Sequence, residues 1–211
     1  MRLFLSLTGA CAAGALVFAT AGLASQPVTQ TLNPPPPSYY TCNTVGSGTI
    51  CAGQPPLESY GPIDTAVEGS PLVCGNGSNA FDIFDAAIDQ VTARRVYDEN
   101  GNLVRRVLRD AYSFGQFSNP LNGATVPYDQ RDTRTDVFAV PGDLGSATET
   151  TTWERTFHAQ GAGPPLLIDS GRTVQAPDGT IESYSGRLDF LKLFVEGNTS
   201  VLGPLCTALG A

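Results

Sequence analysis

The chain has 211 residues, with 23 Gly, 16 Pro, 41% hydrophobic residues and only 15% charged ones, against about 25% charged in an average soluble domain. That excludes long coiled coils and highly charged disorder, and one His and one Met leave little for a histidine-rich metal site. The formal charge of -8 argues against electrostatic steering toward nucleic acid or anionic lipid.

In chain order, Arg2 is followed by an apolar run from Leu3 to Leu23, diluted by Gly9, Gly14 and Gly22 and closed by small-residue patterns at Ala19-Thr20-Ala21 and Gly22-Leu23-Ala24. This reads as a signal peptide over 1–24. Cys11 lies too early in the run to be a lipidated cysteine. Removing 1–24 leaves Cys42, Cys51, Cys74 and Cys206. An even count in an exported chain points to disulfides. No CxxC pair exists and His158 stands alone, so no metal site is expected.

Residues 25–73 hold nine of the prolines and no Lys or Arg. The run Pro34-Pro35-Pro36-Pro37 predicts an extended spacer, and the segment reads as a Pro/Gly-rich linker. One ordered island, 41–52, sits inside it. Gly46-Ser47 suits a two-residue hairpin loop, and counting outward brings Cys42 opposite Cys51 in a closely spaced pair. A Cys42–Cys51 disulfide follows, which leaves Cys74 for Cys206.

From Cys74 the pattern is β. Strands are predicted near 81–88, 91–97, 103–117, 124–140, 147–158, 165–176 and 180–190. Turn chemistry such as Asn100-Gly101, Asn122-Gly123 and Asp178-Gly179 separates them. Short connections imply an antiparallel meander, expected to close into an all-β, calycin-like barrel of about seven or eight strands over 74–211. Phe81, Phe84, Ile88 and Val91 also fit a helical stripe. A short helix is expected over 202–209, with Cys206 clipping the end of the domain to its beginning.

The segments Gly46-Ser47-Gly48-Thr49-Ile50-Cys51, Tyr97-Asp98-Glu99-Asn100-Gly101-Asn102, Ala139-Val140-Pro141-Gly142-Asp143, Asp169-Ser170-Gly171-Arg172 and Leu205-Cys206-Thr207-Ala208-Leu209 resemble signatures of small exported bacterial proteins of unassigned function. The resemblance covers about residues 42–209. At the level of fold alone, the chain resembles calycin and allene-oxide-cyclase-type barrels. The resemblance implies no catalytic motif.

Four constellations bear on chemistry. Asp169-Ser170-Gly171 echoes a serine nucleophile triplet, but Arg172 follows it and no GxSxG elbow exists, so it reads as a turn. Over 147–158, Thr148, Thr150, Thr152, Glu154, Thr156 and His158 share a water-facing side. Ala147, Glu149, Thr151, Trp153, Arg155 and Phe157 share the other. His158 is then a solvated histidine near Glu154. An inward Glu149 and Arg155 among Trp153 and Phe157 is costly unless paired or wet; it reads as a Glu149–Arg155 salt bridge or as the lining of a ligand cavity. The hairpin at Asn100-Gly101 puts arginine opposite arginine, Arg95 facing Arg106 or, with a three-residue loop, Arg94 facing Arg106 and Arg95 facing Arg105. An anion should sit beside them: Asp82, Asp85 and Asp89, or a carboxylate or phosphate ligand. Asp98 to Asn102 has its glycine in the wrong place for a calcium loop.

The expected protein is a secreted or envelope-associated non-catalytic barrel module. It binds a small amphipathic molecule between Tyr128, Trp153 and Phe157, with Glu149 or Arg155 as polar anchor. A cyclase or isomerase working in the same cavity, and a surface structural or adhesion module, are the alternatives. No cofactor, no nucleic-acid partner and no membrane span after leader removal are expected.

Overall fold

The computed structural model describes residues 28–65, 72–159, 163–187 and 202–211; the signal-peptide reading of 1–24 and the last three residues of the 180–190 strand lie outside them. Eleven strands follow in order: β1 (Tyr40–Val45), β2 (Gly48–Gly53), β3 (Glu58–Asp64), β4 (Val73–Cys74), β5 (Phe81–Asp82), β6 (Phe84–Tyr97), β7 (Leu103–Ser118), β8 (Thr125–Phe138), β9 (Ala147–His158), β10 (Pro165–Gln175) and β11 (Ile181–Arg187), with a helix α1 (Gly203–Ala208). No helix among the described residues is long and apolar enough to cross a membrane.

The meander from β6 to β11 is antiparallel throughout, each strand pairing with the next. It does not close. A barrel needs its first and last strands hydrogen-bonded, and here the order ends at β1 on one side and β11 on the other. The free side of β6 is occupied by β2 along 93–97 and by β3 along 84–89. The barrel expectation, and the cavity that depended on it, are therefore corrected to an open sheet. The predicted strands 81–88 and 91–97 are one long β6 preceded by the short β5. β6 runs unbroken through Ile88–Val91, and the irregularity there is taken up by β7, where Ile88 pairs with Phe114 and Asp89 with Tyr112.

The segment read as a linker contributes β1, β2 and β3 to this sheet. The β1–β2 hairpin has the expected register, Val45 opposite Gly48 and Cys42 opposite Cys51, and the two cysteines are bonded. The proline run lies against the sheet, where the Tyr97 hydroxyl donates to the Pro34 carbonyl at 2.9 Å. Asn33 brackets the β6–β7 turn by accepting from Leu103 N–H and donating to Gly101 O, both at 2.8 Å. Gly101 takes φ +81° in that turn, a conformation glycine adopts without a Cβ penalty.

The inner face of the sheet carries an apolar core at each end. At one end Phe117, Val126, Tyr128, Phe157 and Leu167 pack with Ile83, Leu205 and Leu209. The helix is pinned there by the Cys74–Cys206 disulfide and by Asn119 and Asn122, whose side-chain amides donate to Leu209 O at 3.0 and 3.1 Å. Gly115 is required beside this core, because a Cβ there would lie 2.3 Å from the Tyr128 ring. At the other end Cys51, Tyr97, Leu103 and Phe138 form a second, smaller core.

Candidate functional site

Between the two cores the inner face is polar. One cross-strand row reads Cys51, Arg95, Arg106, Asp136, Glu149, Gln175. Arg95 does face Arg106, but the turn is the three-residue loop, with Asp98 N–H donating to Asn102 O and Tyr97 opposite Leu103, and a bulge between Val96 and Tyr97 then shifts the register by one. The anion beside them is Asp136, not Asp82, Asp85 or Asp89: fully buried, it accepts from Nε of Arg106 and, at 3.0 Å, from Nε of Arg134. Arg134 also reaches Glu149 Oε2 at 2.7 Å. Arg95 instead lies 5.4 Å from the Tyr40 ring centroid and donates to Pro35 O.

Glu149 and Arg155 share the inner face but not each other. Arg155 donates to the Gln130 side-chain carbonyl and stacks 5.0 Å from the Tyr128 ring centroid. Tyr128 and Phe157 are buried with ring centroids 5.5 Å apart and belong to the apolar core. Trp153 donates from Nε1 to Asp169 Oδ2 at 3.0 Å. In an open sheet these side chains line no barrel cavity; each is engaged by neighbouring protein groups.

Burial raises the pKa of three carboxylates on this face, Asp85, Asp89 and Asp110. Asp110 stands directly opposite Asp132 on the β7–β8 ladder. Burial, reinforced by the hydrogen bond and charge of Asp132 and the charges of Asp89 and Glu58, pushes its pKa up to about 8. Asp85 is raised by burial too, although the Tyr128 hydroxyl donates to it at 2.9 Å.

The serine constellation comes apart in space. Ser170 pairs with Glu154, and His158 lies four residues farther along β9, about 13 Å away. His158 Nε2 sits 2.9 Å from Asp129 Oδ2, an acceptor across the β8–β9 ladder that displaces the expected neighbour Glu154.

The outer face is built from different material. Three consecutive rows run Ile50, Val96, Arg105, Val137, Thr148; then Ala52, Arg94, Val107, Thr135, Thr150, Val174; then Thr92, Arg109, Thr133, Thr152, Arg172, Ser185. They contain four arginines and not one carboxylate. Arg94 lies opposite Val107, and Arg105 and Arg109 flank Val107 two residues to either side. Side chains at such diagonal positions are about 7–8 Å apart. The three arginines border an open groove of about 730 Å³, with Thr92, Thr133 and Thr135 on its walls. All three are exposed, and among the described residues none forms an ion pair.

Sequence reasoning singled out Arg94 and Arg105 only as possible cross-strand neighbours. Arg109 and the convergence went unread, although the spacing Arg105, Val107, Arg109 places both charges on one face of a strand. No family model, curated protein or solved structure matches the chain.

Proposed function

We propose that this is an exported, non-catalytic binding module whose outer sheet face takes an anionic ligand. The observation that carries the reading is the arginine groove: Arg94, Arg105 and Arg109 converge on Val107 with no carboxylate in the three rows around them, in a chain whose formal charge is -8. Like charges set side by side on a sheet destabilise it. On the inner face the same problem is solved internally, by Asp136 and Glu149. On the outer face the balancing charge comes from outside. Guanidinium groups present planar, bidentate donors that match carboxylate, sulfate or phosphate oxygens, and the threonine hydroxyls beside them add neutral donors and acceptors. The groove walls carry no aromatic side chain among the described residues, so there is no stacking platform for bases. The signal-like leader and the two disulfides support an extracellular setting.

Retention on immobilised polyanions tests this. The protein should bind polygalacturonate, heparin or polyphosphate beads at low salt, pass through neutral dextran, and elute as salt rises. The Arg94→Gln, Arg105→Gln, Arg109→Gln triple variant should flow through. Equal retention of the triple variant, or no retention on any of the polyanions, overturns the reading.

A further inference from the structure

The arginine groove is one end of a longer furrow. It shares Thr133 with a neighbouring depression of about 270 Å³ bordered by Arg131, Thr152 and Glu154, and by Asp132 and Trp153, whose side chains turn to the inner face. That depression shares Arg131 and Glu154 with a third, of about 360 Å³, which also has Tyr112, Asp129, Thr156 and His158. The three run along β8 from Thr135 to Asp129, six residue steps or about 20 Å.

The chemistry changes along this path. The first third is cationic, with Arg94, Arg105 and Arg109. The last third is mixed: Asp129 and Glu154 accept and Arg131 and His158 donate, while the Tyr112 ring turns inward against Tyr128. Arg131 and Glu154 stand directly opposite each other, and His158 and Asp129 are in hydrogen-bond contact. A uniformly charged polymer would satisfy the arginines and then drive anionic groups against Asp129 and Glu154, an arrangement that costs affinity. A chain of hydroxyl-bearing rings fits both halves, provided that some rings carry carboxylates and others do not. Alternating donors and acceptors suit hydroxyl groups, and the arginine end suits the carboxylates.

Building on the anion-binding reading above, we infer that the furrow is the footprint of a linear, partly carboxylated polysaccharide. Its acidic units lie on Arg94, Arg105 and Arg109, and its neutral units reach the Asp129–His158 end. A ligand spanning all three depressions gains contacts that a short acid cannot.

Calorimetric titration with galacturonate dimer, tetramer and octamer, the octamer both fully acidic and partly methyl-esterified, tests the inference. Affinity should rise at least tenfold from dimer to octamer, and the partly esterified octamer should bind more tightly than the fully acidic one. The Asp129→Ala, His158→Ala double variant should lose several-fold affinity for the octamers and none for the dimer. The arginine triple variant should lose every ligand. If octamer and dimer bind alike, if the fully acidic octamer binds better, or if the double variant is indistinguishable from wild type, the furrow is refuted while the arginine site stands. If the arginine triple variant binds as well as wild type, the anion-binding reading itself fails.

Discussion

On the inner face Asp136 is buried between Arg106 and Arg134, and Arg134 is shared with Glu149; on the outer face of the same strands Arg94, Arg105 and Arg109 stand in three rows that hold no carboxylate. Both faces cluster arginine, and they are separated only by the period-two alternation of the chain. What differs is burial. A guanidinium turned toward the core must find its counterion within the protein, because the dielectric there is low and desolvation is costly. One turned toward water can wait for a ligand. Charge on the inner face is therefore architecture, and charge on the outer face is available for recognition.

Breaking the cover of the inner face should have the largest effect. Cys74–Cys206 closes a separation of 132 residues and Cys42–Cys51 one of 9; the chain-entropy model assigns the long loop about 5 kcal/mol and the short one about 3. Cys206→Ser should lower the melting temperature more than Cys51→Ser, as thermal melts would show. Next is the buried anion. Asp136→Ala strands two partly buried guanidinium groups and should cost about 3 kcal/mol in a urea titration, while an outer Arg105→Gln should stay within about 0.5 kcal/mol.

Acidity separates the faces in another way. The Asp110 pKa is raised to about 8 from an ordinary 3.8, so the folded state binds the extra proton and the unfolded chain does not. Between those two values stability falls as pH rises, and above about 8 the dependence from this group ends. Asp110→Asn keeps the neutral form at every pH and should flatten the decline across pH 4 to 8 in melts run at stepped pH; an unchanged slope would place the titration elsewhere.

The parts of this arrangement legible in the sequence are those set by local periodicity. The hairpin at Gly46-Ser47 fixed the partner of Cys42, and the alternation over Ala147–His158 put Trp153 and Phe157 on the inner face and Glu154 and His158 on the outer one. Arg95 opposite Arg106 was one of the expected pairings, but it comes from a three-residue loop followed by a bulge between Val96 and Tyr97, which local pattern does not show. What failed depended on registers between segments that local pattern does not encode. Glu149 faces Asp136 across β8–β9 and reaches Arg134, not Arg155. His158 finds Asp129 for the same reason. Closure into a barrel likewise turned on which strand takes the free side of β6, and the proline-rich segment, read as a spacer, supplies β2 and β3 for it.

The account rests on the outer arginines being free to serve a ligand, and paired measurements on one variant test it most directly. The Arg94→Gln, Arg105→Gln, Arg109→Gln protein should melt within roughly 0.5 kcal/mol of wild type, or slightly above it because neighbouring like charges are gone, and in the same preparation should no longer bind polygalacturonate. A triple variant that unfolds as readily as Asp136→Ala, or that keeps wild-type affinity, would contradict the division between the two faces.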